Sequence, residues 1–177
     1  AALWAPEATV PFVKGDPRPV TLGGDGEPLT LGVDGFAQAH GGLNLALAGA
    51  VAAGARAEGK KVLELYAGAG NFTVALARRA ASVVAVESDP GATRALRDNL
   101  RARSLENVTV RDEPAERCAG VRADVVVLDP PRTGAREVCE TLAAKPSAKA
   151  VVYVSCDPPT LGRDLGALLA AYEVRSL

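Results

Sequence analysis

From Lys61 onward, short apolar runs rich in valine alternate with amphipathic segments of helical period. That alternation constrains the fold more than any other property of the chain. Residues 62–66, 82–86, 108–110, 124–128 and 149–154 read as strands. Residues 71–79, 90–103, 136–144 and 160–171 read as helices, and Pro90 suits a helix's first turn. A further helix is expected over about 42–57. Strands that are apolar on both faces and separated by helices belong to a parallel sheet covered on both sides, so a doubly wound α/β domain is predicted. Ahead of it, 20–22 and 29–31 flank Gly23-Gly-Asp-Gly26 as a small hairpin, and 1–19 is Pro-rich without a period. Residues 1–35 therefore read as a connector and hairpin left from an upstream region, and 36–177 as the domain. The last segment, 172–177, reads as a strand cut off in mid-element, so the sheet is expected to be incomplete at its C-terminal strands. The absence of methionine, even at position 1, points to a fragment or a processed chain.

Bulk properties narrow the function. One domain of 177 residues, 48% hydrophobic and 23% charged, can bury a real core. No apolar run approaches a membrane span, and the first residues do not resemble a secretion leader, so no membrane partner is expected. A net charge of −1 lacks the basic surplus of a stand-alone nucleic-acid binder. Arg94, Arg97, Arg101 and Arg103, at roughly helical spacing, read as a solvated face. Cys118, Cys139 and Cys156 are odd in number and without C-x-x-C spacing, and His40 is the single histidine. That inventory argues against a disulfide framework, a metal site or an iron–sulfur cluster, and for a reducing compartment, the cytoplasm.

Four strand ends carry the chemistry. After the first strand, Tyr66-Ala-Gly68-Ala-Gly70-Asn71-Phe72 is a turn that brings bare backbone close to a ligand. Thr73 stands where a dinucleotide fingerprint would have its third glycine, which disfavours a nicotinamide or flavin dinucleotide. Glu87 ends the second strand, nineteen residues after Gly68, where an acid accepts hydrogen bonds from ribose hydroxyls. Asp129-Pro-Pro-Arg132 closes a third apolar strand, with two prolines fixing the loop. Val151-Val-Tyr-Val-Ser-Cys156-Asp-Pro-Pro159 then delivers one thiol to the end of another, and a thiolate is a strong nucleophile. Cys118 and Cys139 read as inert core residues.

These residues resemble the catalytic domain of the S-adenosylmethionine-dependent RNA 5-methyluridine methyltransferases, which have a Rossmann-like sheet and act on tRNA or rRNA. The resemblance runs from Phe36 to the end of the chain. It rests on Phe36-Ala-Gln38, on the cofactor loop from Leu63 to Thr73, on Leu128-Asp-Pro-Pro-Arg-Thr-Gly134, and on the loop from Tyr153 to Asp164. It implies S-adenosylmethionine as cofactor, contacted by Gln38, Tyr66, Asn71, Glu87 and Asp129 together with the glycine turn at Gly68 and Gly70. It implies Cys156 as the nucleophile that adds to carbon 6 of uracil, with Arg132 beside it in the catalytic set. The adenine contact falls on Asp112 or Glu113. An RNA substrate and a monomer are expected.

Some positions depart from the family. Asp157 follows the cysteine where the family has Asn, and it is expected to oppose thiol activation; His40 replaces an Asn. The family's general base lies in a His-x-Glu element beyond the nucleophile helix, so this chain alone is expected to bind cofactor without turning over. The alternatives are a cytosine-5 RNA methyltransferase and a non-catalytic cofactor- or RNA-binding remnant.

Overall fold

A computed structural model describes residues 2–3, 12–13, 18–32, 35 and 40–176. Two short antiparallel pairs come first: β1 (Ala2–Leu3) with β2 (Phe12–Val13), and β3 (Val20–Leu22) with β4 (Pro28–Thr30). Helix α1 (Gly41–Ala55) leads into the alternating part, β5 (Lys61–Leu65), α2 (Asn71–Ala77), β6 (Ser82–Glu87), α3 (Pro90–Ala102), β7 (Val108–Asp112) and α4 (Ala115–Cys118). It continues with β8 (Val125–Leu128), α5 (Arg136–Ala144), β9 (Ala150–Tyr153) and α6 (Pro158–Leu168).

Strands β5 to β9 form one five-stranded, wholly parallel sheet in the order β7-β6-β5-β8-β9. The doubly wound α/β architecture read from the sequence is thus the one observed. Side chains alternate between two cores, as the pleat requires. Val62, Val83, Ala85, Val125 and Val127 pack with α1, α2 and α3. Leu63, Leu65, Val86, Val126 and Leu128 pack on the opposite face with α4, α5 and α6. All four residues of β8 are 0% exposed, which is why that strand reads as an unbroken apolar run.

Strand order reverses between β5 and β8, so a crevice opens there at the carboxyl ends of the strands. Leu65, Val86, Leu128 and Tyr153 share one row of the sheet. The residues just beyond that row are Tyr66, Glu87, Asp129 and Val154.

Two details differ from expectation. Residues 173–176 form no strand; after α6 the chain makes a turn and Tyr172 donates to the Ala148 carbonyl at 3.1 Å. The β3–β4 hairpin is packed onto the domain. Leu29 and Leu31 bury against Val74, and Asn99 of α3 clamps Thr30 through its N–H at 2.9 Å and its carbonyl at 2.7 Å. At the hairpin turn the Asp25 side chain, 1% exposed, takes Arg103 in a fork at 2.7 and 3.0 Å and Arg78 at 2.8 Å. Burial pushes the Asp25 carboxyl up, but bonds from Arg103 and Arg78 outweigh it and bring the pKa down to about 2. Gly24 admits no side chain, because a Cβ there would meet the Asn71 carbonyl oxygen and the Ala48 methyl.

Candidate active site

The glycine turn is built on three consecutive needs for left-handed backbone: φ is 65° at Tyr66, 56° at Gly68 and 96° at Gly70. Gly70 caps α2, and a Cβ there would lie 2.5 Å from Leu96 Cδ1, so the helix can approach α3 only with glycine in place. Tyr66 adopts its left-handed conformation without that freedom, a strain of the kind that the surrounding fold must hold in place. Its hydroxyl donates to Glu116 Oε1 at 3.1 Å, and burial pushes the phenol's pKa well above its usual value.

Glu87 meets this turn directly. Its Oε2 accepts from the Gly68 N–H at 2.8 Å, and its Oε1 accepts from the N–H groups of Ser88 and Asp89 at 2.8 Å each. Oε2 keeps a further lone-pair direction, so the carboxylate can tie the turn and still accept from a ribose hydroxyl. Asp89 is the N-cap of α3, accepting from Ala92 N–H at 2.7 Å, so the two acids of this strand end divide the work.

Asp129 is half-buried at the end of β8, and burial raises its pKa to about 6. Beneath the turn, in the middle strand, Glu64 is 2% exposed and its pKa rises to about 8; burial is the main cause, and the charges of Asp129 and Glu87 add to it. Glu64 Oε2 and the neighbouring Thr73 Oγ1 are buried without a hydrogen-bond partner. Three carboxyls thus converge on the crevice, two held back from ionising by desolvation, and such a cluster favours a cationic ligand. Glu64 was not among the residues singled out from sequence. Its signal was a single acid inside an otherwise apolar strand run.

The other candidates are placed as follows. Asn71 turns to α1, where it and Asn44 exchange two hydrogen bonds of 2.8 Å, and Asn44 also donates to the Leu22 carbonyl at 2.9 Å. Asp112 ends β7 opposite Glu87, with its carboxylate 3.4 Å from Thr93 Oγ1 and 3.8 Å from Arg97; Glu113 lies just outside the strand. Gln38 lies outside the described residues. His40, at the position of the family's Asn, caps α1 by accepting from the Leu43 N–H at 3.2 Å.

Cys156 is the exposed one of the three free cysteines; Cys118 and Cys139 are buried. It sits at the apex of a turn in which Ser155 Oγ accepts from the Asp157 N–H and donates to the Asp157 carbonyl, 3.1 Å each. The Asp157 carboxylate is taken up as the N-cap of α6. It accepts from the Thr160 N–H at 3.0 Å and the Thr160 hydroxyl at 2.7 Å, and these bonds, ahead of the charges of Arg132 and Arg163, hold its pKa low. Arg132 is thereby in electrostatic reach of the residue that follows Cys156. From Glu87 on β6 to the Cys156 turn on β9 is three interstrand spacings, about 14 Å.

A family described as "Conserved hypothetical protein 95" matches residues 50–166, more than half of the chain. The chain belongs to that family. It is 43% identical over 112 residues to the 23S rRNA (uracil(1939)-C(5))-methyltransferase RlmD of Chromohalobacter salexigens, covering 62% of this chain and 23% of that one. To the RlmD of an Enterobacter species it is 43% identical over 124 residues, covering 66% and 28%. The chain thus spans about a quarter of the length of the curated relatives it matches. Among solved structures, the tRNA (uracil-54, C5)-methyltransferase of Pyrococcus abyssi, in complex with S-adenosyl-L-homocysteine, superposes with a TM-score of 0.74 at 26% identity. That match covers 93% of this chain and 42% of that one. Trm5b from the same organism, at 18% identity and a TM-score of 0.68, shares the fold. The relationship to RNA uracil-C5 methyltransferases read from the loops is therefore borne out.

Proposed function

We propose that this chain carries the catalytic centre of an S-adenosylmethionine-dependent RNA methyltransferase that acts on carbon 5 of a uridine. The observation that carries the reading is the meeting, at one sheet edge, of an exposed strand-end thiol, the Asp129-Pro-Pro-Arg132 loop and a glycine turn tied to Glu87. The catalytic unit is residues 36–177, with the hairpin 20–30 docked against it.

The residues fit the cofactor. S-adenosylmethionine is a cation carrying a ribose, and it supplies an electrophilic methyl group. Glu87 Oε2 offers a lone pair to a ribose hydroxyl, Gly68 and Gly70 let backbone approach, the partnerless oxygen of protonated Glu64 adds a polar group, and Asp129 supplies the negative charge. Tyr66, Asn71 and Gln38 complete the set by resemblance, and Asn71 does so by bracing the turn against α1.

At the far side the Cys156 thiolate adds to carbon 6 of uracil, converting the 5,6 double bond into an enolate whose carbon 5 is nucleophilic. Arg132, whose charge reaches Asp157 beside the cysteine, is assigned to the developing negative charge on the base. After methylation, loss of the carbon 5 proton to a base expels the thiolate and restores the double bond. Asp164 is not that base, since it is buried with both oxygens engaged by donors. The target base has to leave its stack to reach the thiol. Three free thiols suit a cytoplasmic setting.

Incubation with S-adenosylmethionine and rRNA or tRNA transcripts, followed by nucleoside mass spectrometry, tests the reading. 5-Methyluridine is expected. 5-Methylcytidine would favour the cytosine-5 alternative. Cofactor binding by the full-length protein without any methylated nucleoside would contradict the assignment.

A further inference from the structure

Asp164 in α6 is 0% exposed, yet it carries a carboxylate that serves two loops at once. Its Oδ2 accepts from the Ala135 N–H at 2.6 Å and from the Tyr153 hydroxyl at 2.7 Å. Its Oδ1 accepts from Arg163 Nε at 2.8 Å and Nη2 at 2.7 Å. Arg163 Nη2 reaches on to the Thr133 carbonyl at 2.9 Å. Gly134, with φ 77°, lies so close that a Cβ there would collide with Arg163 Nη2 and stand 2.5 Å from Asp164 Oδ2.

The three segments gathered here are the ones that present Arg132 and Cys156. Thr133 and Ala135 directly follow Arg132, and Tyr153 is the last residue of β9 before the cysteine turn. Asp164 sits in the helix whose N-terminus that turn enters. The ion pair itself is a poor source of net stability, because Arg163 is 41% exposed and its charge is screened by solvent. Directional bonds from two loops to one carboxylate do something else: they fix the loops' separation. We infer that Asp164 is a positioning residue, which locks the Arg132 turn to the Cys156 turn so that guanidinium and thiol face the same substrate base. The inference rests on the proposed role of Cys156.

The test needs no RNA. Cys156, as the exposed cysteine, is tagged with a trifluoromethyl group, and its ¹⁹F resonance is compared in wild type, Arg132→Ala, Asp164→Asn and the double variant. In untagged protein the rate of alkylation by iodoacetamide is measured. Asn keeps the volume of Asp but turns a donor towards Arg163. Asp164→Asn should move the resonance in the direction that Arg132→Ala does and change the alkylation rate at least threefold. The double variant should go no further than Arg132→Ala alone. S-adenosylhomocysteine affinity should stay within twofold, since the glycine turn and Glu87 lie across the crevice. A folded Asp164→Asn with wild-type resonance and rate, or effects that add in the double variant, or an Arg132→Ala that moves neither signal, would overturn the inference. If Asp164→Asn does not fold, Tyr153→Phe removes one of the hub's donors without changing charge. It should displace the resonance the same way by less, and a wild-type resonance there would also overturn the inference. Failure of wild-type protein to capture 5-fluorouridine RNA would count against Cys156 as a uracil nucleophile, and the tag would still judge Asp164.

Discussion

Glu64 and Glu87 stand one strand apart in opposite surroundings: Glu64 is desolvated, whereas Glu87 is ringed by N–H donors. The folded pKa of Glu64, about 8, exceeds its ordinary 4.5, so the folded state holds a proton that the unfolded chain has released. Stability therefore falls as pH rises from about 4.5 to 8 and levels off above that, with a limiting slope of about 1.4 kcal/mol per pH unit. Glu64→Gln should flatten this decline, read as the urea midpoint against pH; an unchanged slope would show that another group is responsible. Glu87→Ala should weaken S-adenosylmethionine binding by about 1–3 kcal/mol in calorimetry, because it removes the diol's acceptor and the tie to Gly68. An unchanged affinity would remove Glu87 from the cofactor site. Cys156, Glu87 and Asp129 were legible as single letters at strand ends. Glu64 and Asp164 were not, because their meaning lies in what surrounds them. An acid within an apolar run is visible, but its orphaned oxygen is a fact of packing, and the hub at Asp164 joins residues 29 positions apart.

Among the elements, the β3–β4 hairpin shows where sequence reading stops. Its turn residues and flanking strands were evident, but the Asp25–Arg103 pair that docks it spans 78 positions and has no local signature. The same logic applies to 173–176, which form no strand: Val174 is the one β-branched residue there, and no partner strand among the described residues takes it up. Helix starts were easier, since Pro90 and Pro158 follow the capping acids Asp89 and Asp157. Asp157, which the sequence set against the thiol, also has a capping role: its Oδ2 accepts from the Thr160 N–H and hydroxyl at the start of α6. For the hairpin, Asp25→Ala should cost about 3 kcal/mol or more, because Arg103, 5% exposed, is left buried without its counter-ion. In wild type the contribution of Asp25 is present above pH 3.8 and is lost as pH falls through about 2. Equal denaturation midpoints for Asp25→Ala and wild type at pH 7 would show that Leu29, Leu31 and the Asn99 clamp hold the hairpin without Asp25.

At the scale of the molecule, the strand order β7-β6-β5-β8-β9 puts the glycine turn and Glu87 on one side of the β5/β8 switch point and Asp129 and the thiol on the other. Alternation of strand and helix predicted the class of sheet because apolar runs covered on both faces have few other solutions. The crevice itself followed from topology, which no single segment encodes. A surface cavity of about 460 Å³ lies at the β7 edge between Arg97, Leu100, Leu105 and Val110. The central claim is that Cys156 attacks carbon 6 of uracil at this edge. Denaturing gel analysis after incubation with 5-fluorouridine-substituted RNA and S-adenosylmethionine tests it most directly. Fluorine at carbon 5 blocks the proton loss that frees the enzyme, so a covalent protein–RNA band is predicted for wild type and its loss for Cys156→Ala. A band that persists in Cys156→Ala would contradict the account.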